Sequence, residues 1–226
     1  MTYVISDIHG NYQKFKEMLE LIRFSEKDVM YVLGDIVDYG NEPMELLCDL
    51  SMRYNVLPIL GEHDYRAQRL LCELDKIFAG EAPDAEIMGE VTEWISDGGK
   101  STIEGFKELD ADMREGVLDY LADMALYEEV TVNGMRYVLV HAGIADFDPA
   151  VSLDEYMPED FISEPLDTNR TYYENATLIV GHTPTKELGA NGRIVHGVRV
   201  KFIDCGASMG GTLGCLCLEN GEEFYV

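Results

Sequence analysis

Aspartate and histidine residues recur at the points where short apolar runs of this sequence end. The run Val29–Leu33 is followed by Gly34, and the carboxylates Asp35 and Asp38 come next. Four further apolar runs end in the same way and deliver Asp7 and His9, Glu62 and His63, His141, and His182. Four of the five histidines in the chain are among these residues. Because apolar strands of an α/β sheet present functional groups at their carboxyl ends, the pattern predicts one shared site.

The side chains at these ends form a ligand set suited to two divalent transition-metal ions. Carboxylates combined with imidazoles favour Mn²⁺, Fe²⁺ or Zn²⁺ over Ca²⁺, which prefers oxygen ligands alone. Such ions can lie roughly 3.5–4 Å apart, share a bridging carboxylate and lower the pKa of water to about 7. The resulting hydroxide could attack phosphorus in line, in a reaction that is extremely slow without a catalyst. We therefore expect two ions, with Mn²⁺ as the first choice, and a phosphoester substrate.

The order of predicted elements indicates an α/β protein. Strands at 2–6, 29–33 and 56–60 alternate with helices at about 11–23, 42–54 and 64–79, with Asn11 as a helix cap, which predicts a mainly parallel sheet. Residues 80–127 form a helical insertion in this prediction, with helices near 90–96 and 113–126 and a turn at Gly98 and Gly99. The Asn133-Gly134 pair predicts a hairpin. Residues 144–176 are predicted to form a long loop with a short helix, and the residues that follow are predicted to form antiparallel strands. We expect a single domain over residues 1–226, with two mixed sheets packed as a sandwich and flanked by helices.

The charge of the chain narrows the classes of partner. Its 43 acidic and 17 basic residues give a net charge of −26, which repels nucleic acid. No apolar run approaches the roughly 18 residues of a membrane span, and no basic segment precedes the first apolar residues as in a signal peptide. We expect a cytoplasmic protein without membrane contact. The five cysteines exclude a complete disulfide framework, so reduced thiols are expected.

Five ordered motifs give the chain a resemblance to a known family: Asp7-Ile-His9-Gly10, Gly34-Asp35-Ile-Val-Asp38-Tyr-Gly40, Gly61-Glu62-His63-Asp64, His141-Ala-Gly143 and Gly181-His182-Thr-Pro184. The sequence resembles the phosphoprotein phosphatase branch of the metallophosphoesterases, and within it the compact bacterial and phage-type serine/threonine phosphatases. The resemblance implies a calcineurin-like fold. It also implies a metal-dependent phosphoric monoester hydrolase that acts on a phosphorylated protein or peptide, or on a small phosphoester.

The resemblance also implies a role for each motif residue. Asp7, His9 and Asp35 would hold the first metal ion, and the second would be held by Asp35 as the bridging ligand together with Glu62, His141 and His182. His63 would be the general acid that protonates the leaving oxygen, since an imidazole transfers protons near neutral pH. Asp38 would orient His63, and Arg170 would bind phosphate through its guanidinium fork.

Two positions depart from the family pattern. Glu62 stands where the family has Asn, and Tyr39 stands where it has Arg. Both changes weaken anion binding, and Arg66 is either a substitute cation or an exposed helix residue. Three interpretations remain open: a phosphoprotein phosphatase, a hydrolase of dinucleoside polyphosphates or other nucleotides, and a metal-binding pseudophosphatase that serves as a recognition module. The fifth histidine, His196, is interpreted as structural.

Overall fold

The computed structural model describes residues Met1 to Val226, which form ten strands and seven α-helices. The strands are β1 (Thr2–Ile5), β2 (Val29–Val32), β3 (Val56–Pro58), β4 (Tyr127–Val132), β5 (Met135–Val140), β6 (Ala176–Val180), β7 (Val195–His196), β8 (Val200–Phe202), β9 (Gly214–Cys217) and β10 (Glu223–Tyr225). The helices are α1 (Tyr12–Leu21), α2 (Pro43–Ser51), α3 (Glu62–Phe78), α4 (Ala85–Trp94), α5 (Lys100–Glu108), α6 (Ala111–Ala122) and α7 (Glu159–Ile162). A kinked turn, Ile95–Gly99, joins α4 to α5.

The strands form two mixed sheets of five strands each, as the sequence predicted. The first sheet has the order β10-β9-β1-β2-β3, in which β1, β2 and β3 are parallel and β9 and β10 are antiparallel additions. The second has the order β4-β5-β6-β8-β7, with β5, β6 and β8 parallel. The prediction that β6 is antiparallel was wrong. Residues 141–175 make a long crossover between β5 and β6. A connection of this length allows the two strands to run parallel, whereas a tight turn would have made them antiparallel.

Alternating side chains divide the core into layers. Val4, Leu139 and Ile179 point between the two sheets and belong to one buried cluster. Tyr3 and Ile5, the neighbours of Val4, point the other way and pack under the helices. Successive strand residues face opposite sides, so a strand buried on both faces reads as a continuous apolar run. This double burial fixes the register of the strands, and with it the position of the residues that follow them.

Several local predictions needed correction. The helical insertion contains α5, which the sequence did not predict. The turn predicted at Gly98 and Gly99 is present as a kink between α4 and α5, with non-helical backbone at Asp97 and at Gly98, whose φ is +91°. Asn11 does not cap α1 with its side chain, which donates hydrogen bonds to the carbonyls of Ile8 and His9. All five cysteines are free thiols, and no helix is long and apolar enough to cross a membrane.

Replacing Leu139 with Ala should test how far the sheet-to-sheet contact stabilises the fold. Leu139 is fully buried between the sheets, so the cavity should lower the free energy of unfolding by about 2–5 kcal/mol. Urea unfolding followed by circular dichroism gives the value. Leu21→Ala is the control, because Leu21 is half exposed at the end of α1 and its loss should change the free energy by only about 0.5 kcal/mol.

Candidate active site

The ends of the strands carry a run of residues in strained backbone conformations. Six residues that lack the freedom of glycine have φ between +48° and +71°: Asp7, His9, Asp35, Asp38, Tyr39 and His182. Such left-handed conformations are uncommon for these residue types, cost on the order of 1–3 kcal/mol each, and cluster at functional sites. Hydrogen bonds between neighbouring ends hold them, among them Asp7 N–H to Gly34 O at 3.1 Å and His9 N–H to Asp35 O at 2.9 Å.

The carboxylate of Asp35 lies between histidines that come from different sheets. Its Oδ2 is 3.6 Å from Nε2 of His9, which follows β1, and its Oδ1 is 3.5 Å from Nε2 of His141, which follows β5. These separations are too long for hydrogen bonds. The Oδ1 atom also accepts a hydrogen bond from the backbone N–H of His63 at 2.9 Å. Asp35 therefore faces an imidazole nitrogen on each side, which is the arrangement that a bridging metal ligand requires.

The two histidines are held with a free lone pair directed at Asp35. Nδ1 of His141 lies 2.6 Å from the carbonyl of Leu33, and Nδ1 of His9 lies 2.9 Å from the carbonyl of Val37. A carbonyl oxygen only accepts, so each Nδ1 carries the proton and each Nε2 is unprotonated. Nε2 of His141 is buried and has no hydrogen-bond partner. An unsatisfied buried nitrogen that is oriented by a backbone carbonyl fits a metal-ligating imidazole.

The electrostatics of the site also fit bound cations. Burial lowers the pKa of His141 to about 4 despite the nearby charge of Asp35, so this imidazole is neutral at pH 7. Burial raises the pKa of Asp7 well above its ordinary value, and the charges of Asp204 and Asp35 raise it further. The carboxylates therefore repel one another in the absence of a cation.

Two compact groups of donor atoms meet at Asp35. One group is Asp7, His9 and Asp35, and the other is Asp35, His141 and His182; the atoms within each group lie within 4.8 Å of one another. The backbone N–H of His182 donates to both carboxylate oxygens of Asp7, at 3.2 and 3.1 Å, and so links the two groups. The structure thus brings together five of the six residues that were predicted as metal ligands.

Glu62 and Arg170 lie outside these groups. Glu62 stands beside them, with Oε2 at 3.8 Å from Nδ1 of His182, and its ligand role stays a prediction. The guanidinium of Arg170 contacts the carbonyl of Phe147 at 3.2 Å and lies 5.0 Å from the centre of the Tyr172 ring. Arg170 does not line the cleft around the donor groups, and its role in phosphate binding also stays a prediction.

His63 and Asp38 form a buried pair that the helical insertion completes. His63 Nδ1 donates to Asp38 Oδ2 at 2.7 Å, and the indole N–H of Trp94 donates to the same oxygen at 2.7 Å. The hydroxyl of Thr102 donates to Asp38 Oδ1 at 2.6 Å. Asp38 is fully buried, so its negative charge depends on these three donors. Burial lowers the pKa of His63, but the hydrogen bond to Asp38 and the nearby carboxylate charges outweigh it and raise that pKa to about 9.

Sequence reasoning missed Trp94 and Thr102 as partners of Asp38. Both lie in the insertion, about sixty residues beyond Asp38, and no spacing rule connects them to it. The one local signal was Gly99, which was interpreted only as a turn. A Cβ atom at position 99 would overlap the indole of Trp94, so glycine there allows the ring to reach Asp38.

The side chain of Asp64 holds the loop that carries Asp35 and Asp38. Its Oδ1 accepts the backbone N–H groups of Ile36 and Val37 at 3.0 and 3.2 Å, and its Oδ2 accepts that of Gly61 at 3.2 Å. The side chain thereby ties the start of α3 to the loop after β2. A Cβ atom at Gly61 would overlap Asp35, so this close approach requires glycine.

The donor groups open into a cleft with a volume of about 240 Å³. We call it the site cleft, and it is lined by Asp7, His9, Asp35, Tyr39, Glu62, His63, His182, Pro184, Glu187, Asp204, Ser208 and Met209. Five of these residues are carboxylates, and none is Lys or Arg. A phosphate group could enter such a cleft only with cations bound there or reaching in from the rim.

The sequence model of the calcineurin-like phosphoesterases matches residues 2–203, a range that contains every residue of the two donor groups. The chain belongs to this family. The prediction of the metallophosphoesterase superfamily and of its fold is therefore confirmed. The family uses divalent metal ions, and the donor set described above fits them.

Curated relatives bear a more specific name. A protein of Nitrosospira multiformis is 26% identical over 184 residues, which are 80% of this chain and 56% of that protein. One of Wigglesworthia glossinidia brevipalpis is 35% identical over 77 residues, which are 33% of this chain and 28% of that protein. Both are named bis(5'-nucleosyl)-tetraphosphatase, symmetrical. The matches thus span 56% of the first relative and 28% of the second, and neither relative is named a protein phosphatase.

Among solved structures, one described as a candidate diadenosine tetraphosphatase superposes with a TM-score of 0.67. The superposition covers 100% of this chain and 92% of that chain, at 17% sequence identity. At that identity the likeness shows the shared fold alone.

Adding Mn²⁺ to metal-stripped protein should raise its melting temperature. Each ion that binds only the folded state stabilises it by about 2.7 kcal/mol at a concentration of 100 Kd. Asp35→Asn should abolish most of the increase in melting temperature, because it removes the ligand that the two donor groups share. Differential scanning calorimetry with and without Mn²⁺ gives the shift. Asp119→Asn, an exposed carboxylate on α6, should retain it in full.

The pairing with Asp38 should be visible in the titration of His63 in metal-free protein. His63 should titrate near pH 9, and in Asp38→Asn at a clearly lower pH, by NMR of the imidazole protons. Since the folded-state pKa exceeds the ordinary value of 6.5, protonated His63 stabilises the metal-free fold. That contribution is fully present below about pH 6.5 and is lost as the pH rises through about 9. An unchanged His63 pKa in Asp38→Asn would refute the proposed pairing.

Proposed function

We propose that the chain is a metal-dependent hydrolase of bis(5'-nucleosyl) tetraphosphates that cleaves them symmetrically into two nucleoside diphosphates. The observation that carries the hydrolytic part is the position of Asp35, whose two oxygens face His9 on one side and His141 on the other. The substrate part is supported by the names of the curated relatives. Of the interpretations left open by the sequence, the nucleotide hydrolase thus replaces the serine/threonine phosphoprotein phosphatase as the favoured one.

In this proposal the residues of the chain divide into metal ligands and a proton donor. Asp7, His9 and Asp35 would hold one ion, and Asp35, His141 and His182 would hold the other, with Glu62 beside His182. When bound, the two ions supply activated water and neutralise the charge of the reacting phosphate.

His63 is the proposed donor of the proton that the leaving oxygen needs. Its Nδ1 is engaged with Asp38, which leaves Nε2 to carry the transferable proton. In the metal-free chain the hydrogen bond to Asp38 helps to raise the pKa of His63 to about 9, which favours the protonated imidazole that a general acid requires. Trp94 and Thr102 fix Asp38 and thereby the orientation of the ring.

Hydrolysis assays on three substrates should decide between the open interpretations. Metal-stripped protein with Mn²⁺ restored should convert diadenosine tetraphosphate to ADP alone, and more efficiently than it hydrolyses a phosphoserine peptide or p-nitrophenyl phosphate. Chromatography of the nucleotides gives both rate and products. Asp35→Asn should lower the rate by at least about a hundredfold, since even residues that only orient metal ligands cost about 10–100-fold.

Each alternative has its own signature in the same assays. Release of ATP and AMP would contradict symmetrical cleavage. Faster hydrolysis of the phosphopeptide would favour the phosphoprotein phosphatase. Mn²⁺ binding without turnover of any of the three substrates would favour the recognition module.

A further inference from the structure

A second cavity, of about 260 Å³, lies beside the site cleft between α3 and α4. We call it the α3–α4 cavity. It is lined by Arg66, Arg69 and Leu70 from α3, by Glu90, Glu93 and Trp94 from α4, and by Asp97 from the kinked turn. It therefore places two guanidinium groups next to a cleft that has no Lys or Arg of its own.

Two side-chain contacts connect the cavity directly to the site cleft. Arg66 in the cavity lies with NH2 at 3.5 Å from Oε1 of Glu62 in the cleft. Asp97 in the cavity accepts a hydrogen bond at 3.0 Å from the hydroxyl of Tyr39 in the cleft. The indole of Trp94 adds a third link, because it binds the same Asp38 oxygen as His63 does. The two spaces are thus neighbours that share their walls.

Arg66 is held at the boundary between them. Its NH1 is 2.5 Å from Oδ2 of Asp97, while its NH2 is directed at Glu62, so the two ends of the fork are spread between cavity and cleft. The side chain of Arg66 is 28% exposed and that of Asp97 is 49% exposed. Ion pairs this open to solvent contribute little, whereas a phosphate offers a guanidinium two parallel charge-assisted hydrogen bonds. A phosphate group can therefore compete for Arg66.

The backbone around Asp97 is built to hold this arrangement. The N–H of Tyr39 donates to the carbonyl of Gly98 at 3.0 Å, and a Cβ atom at position 98 would overlap the Tyr39 ring. Gly98 also has a φ of +91°, which glycine adopts most readily. The turn fixes Asp97 against Tyr39, and Asp97 in turn positions Arg66.

We propose that the α3–α4 cavity is a subsite for a phosphate chain, in which Arg66 and Arg69 bind the phosphates beyond the one that reacts. The residues Glu62, Arg66 and Arg69 follow one another along roughly 10 Å of helix at 1.5 Å per residue, a length that several linked phosphates can span. Arg69 differs from Arg66 in that both of its terminal nitrogens bind the carboxylate of Glu90 at the surface, so a phosphate must displace Glu90 to bind Arg69. The class of ligand is a nucleotide anhydride or inorganic polyphosphate, as opposed to a simple monoester. The subsite deepens the proposed function and rests on it for its place in catalysis.

Steady-state kinetics should show the subsite as a substrate-dependent effect. The quantity to compare is kcat/KM for diadenosine tetraphosphate divided by kcat/KM for p-nitrophenyl phosphate. Arg66→Gln and Arg69→Gln should each lower this ratio by about tenfold, as expected for the loss of a hydrogen bond between charged groups. The change should arise chiefly from a higher KM for diadenosine tetraphosphate. Lys76→Gln is the matched control. It removes a cation from an exposed ion pair further along α3, and should leave the ratio of the two efficiencies unchanged.

Binding can be followed without turnover, because Trp94 is the only tryptophan of the chain and lines the cavity. Titration with inorganic tripolyphosphate at a constant free Mn²⁺ concentration should change the tryptophan fluorescence at lower concentrations than orthophosphate does. The apparent Kd for tripolyphosphate should rise about tenfold in Arg66→Gln and in Arg69→Gln, and stay at the wild-type value in Lys76→Gln. Melting temperatures show whether each variant is folded.

The outcomes separate the subsite from the proposed function. Wild-type affinity for tripolyphosphate in both folded arginine variants, with an unchanged ratio of efficiencies, would overturn the subsite and leave the hydrolase intact. A wild-type protein that hydrolyses neither substrate would overturn the proposed function. In that case the fluorescence titration still decides whether Arg66 and Arg69 bind a phosphate chain.

Discussion

The carboxylate of Asp35 is the group on which the site depends most. It lies at a φ of +51° after β2 and faces a histidine of the first sheet through one oxygen and a histidine of the second through the other. Burial opposes its ionisation, but His141, His9 and His63, which are all protonated at low pH, and the backbone N–H of His63 outweigh that effect and hold the pKa of Asp35 below the ordinary range. Asp35 thus stays ionised where the neighbouring Asp7 is driven towards protonation. A metal pair fits this imbalance of charge, and the sandwich of two sheets brings its ligands together.

The helical insertion forms a second layer of support around this centre. Trp94 and Thr102 satisfy the buried charge of Asp38, so that His63 has one fixed partner. The kinked turn between them directs Asp97 away from Asp38 and towards Tyr39 and Arg66. One stretch of chain therefore orients the proposed proton donor and also forms a wall of the α3–α4 cavity. This double role explains why two adjacent glycines interrupt the regular helix there.

Much of this architecture could be predicted from sequence, and the rest could not for identifiable physical reasons. The apolar runs that end in Asp or His predicted where the strands end and which residues are candidate metal ligands, five of which the structure brings together. This was possible because strand burial and side-chain alternation are local properties of the sequence. The parallel pairing of β6 and the reach of Trp94 to Asp38 depend on contacts between distant segments, which no local pattern reveals. The position of Arg170 away from the cleft and the pairing of Arg66 with Asp97 likewise follow from tertiary packing. The choice between protein and nucleotide substrates depended on relatives, because one metal site serves both.

The number and position of the bound ions test the role of Asp35 most directly. Crystals grown with Mn²⁺ and measured at the manganese absorption edge should show two anomalous peaks roughly 3.5–4 Å apart, the spacing of two-metal hydrolytic sites. One peak should lie beside His9 and the other beside His141, with an oxygen of Asp35 bound to each ion. A single peak, or a pair of ions that Asp35 does not contact, would contradict the central role assigned to this carboxylate.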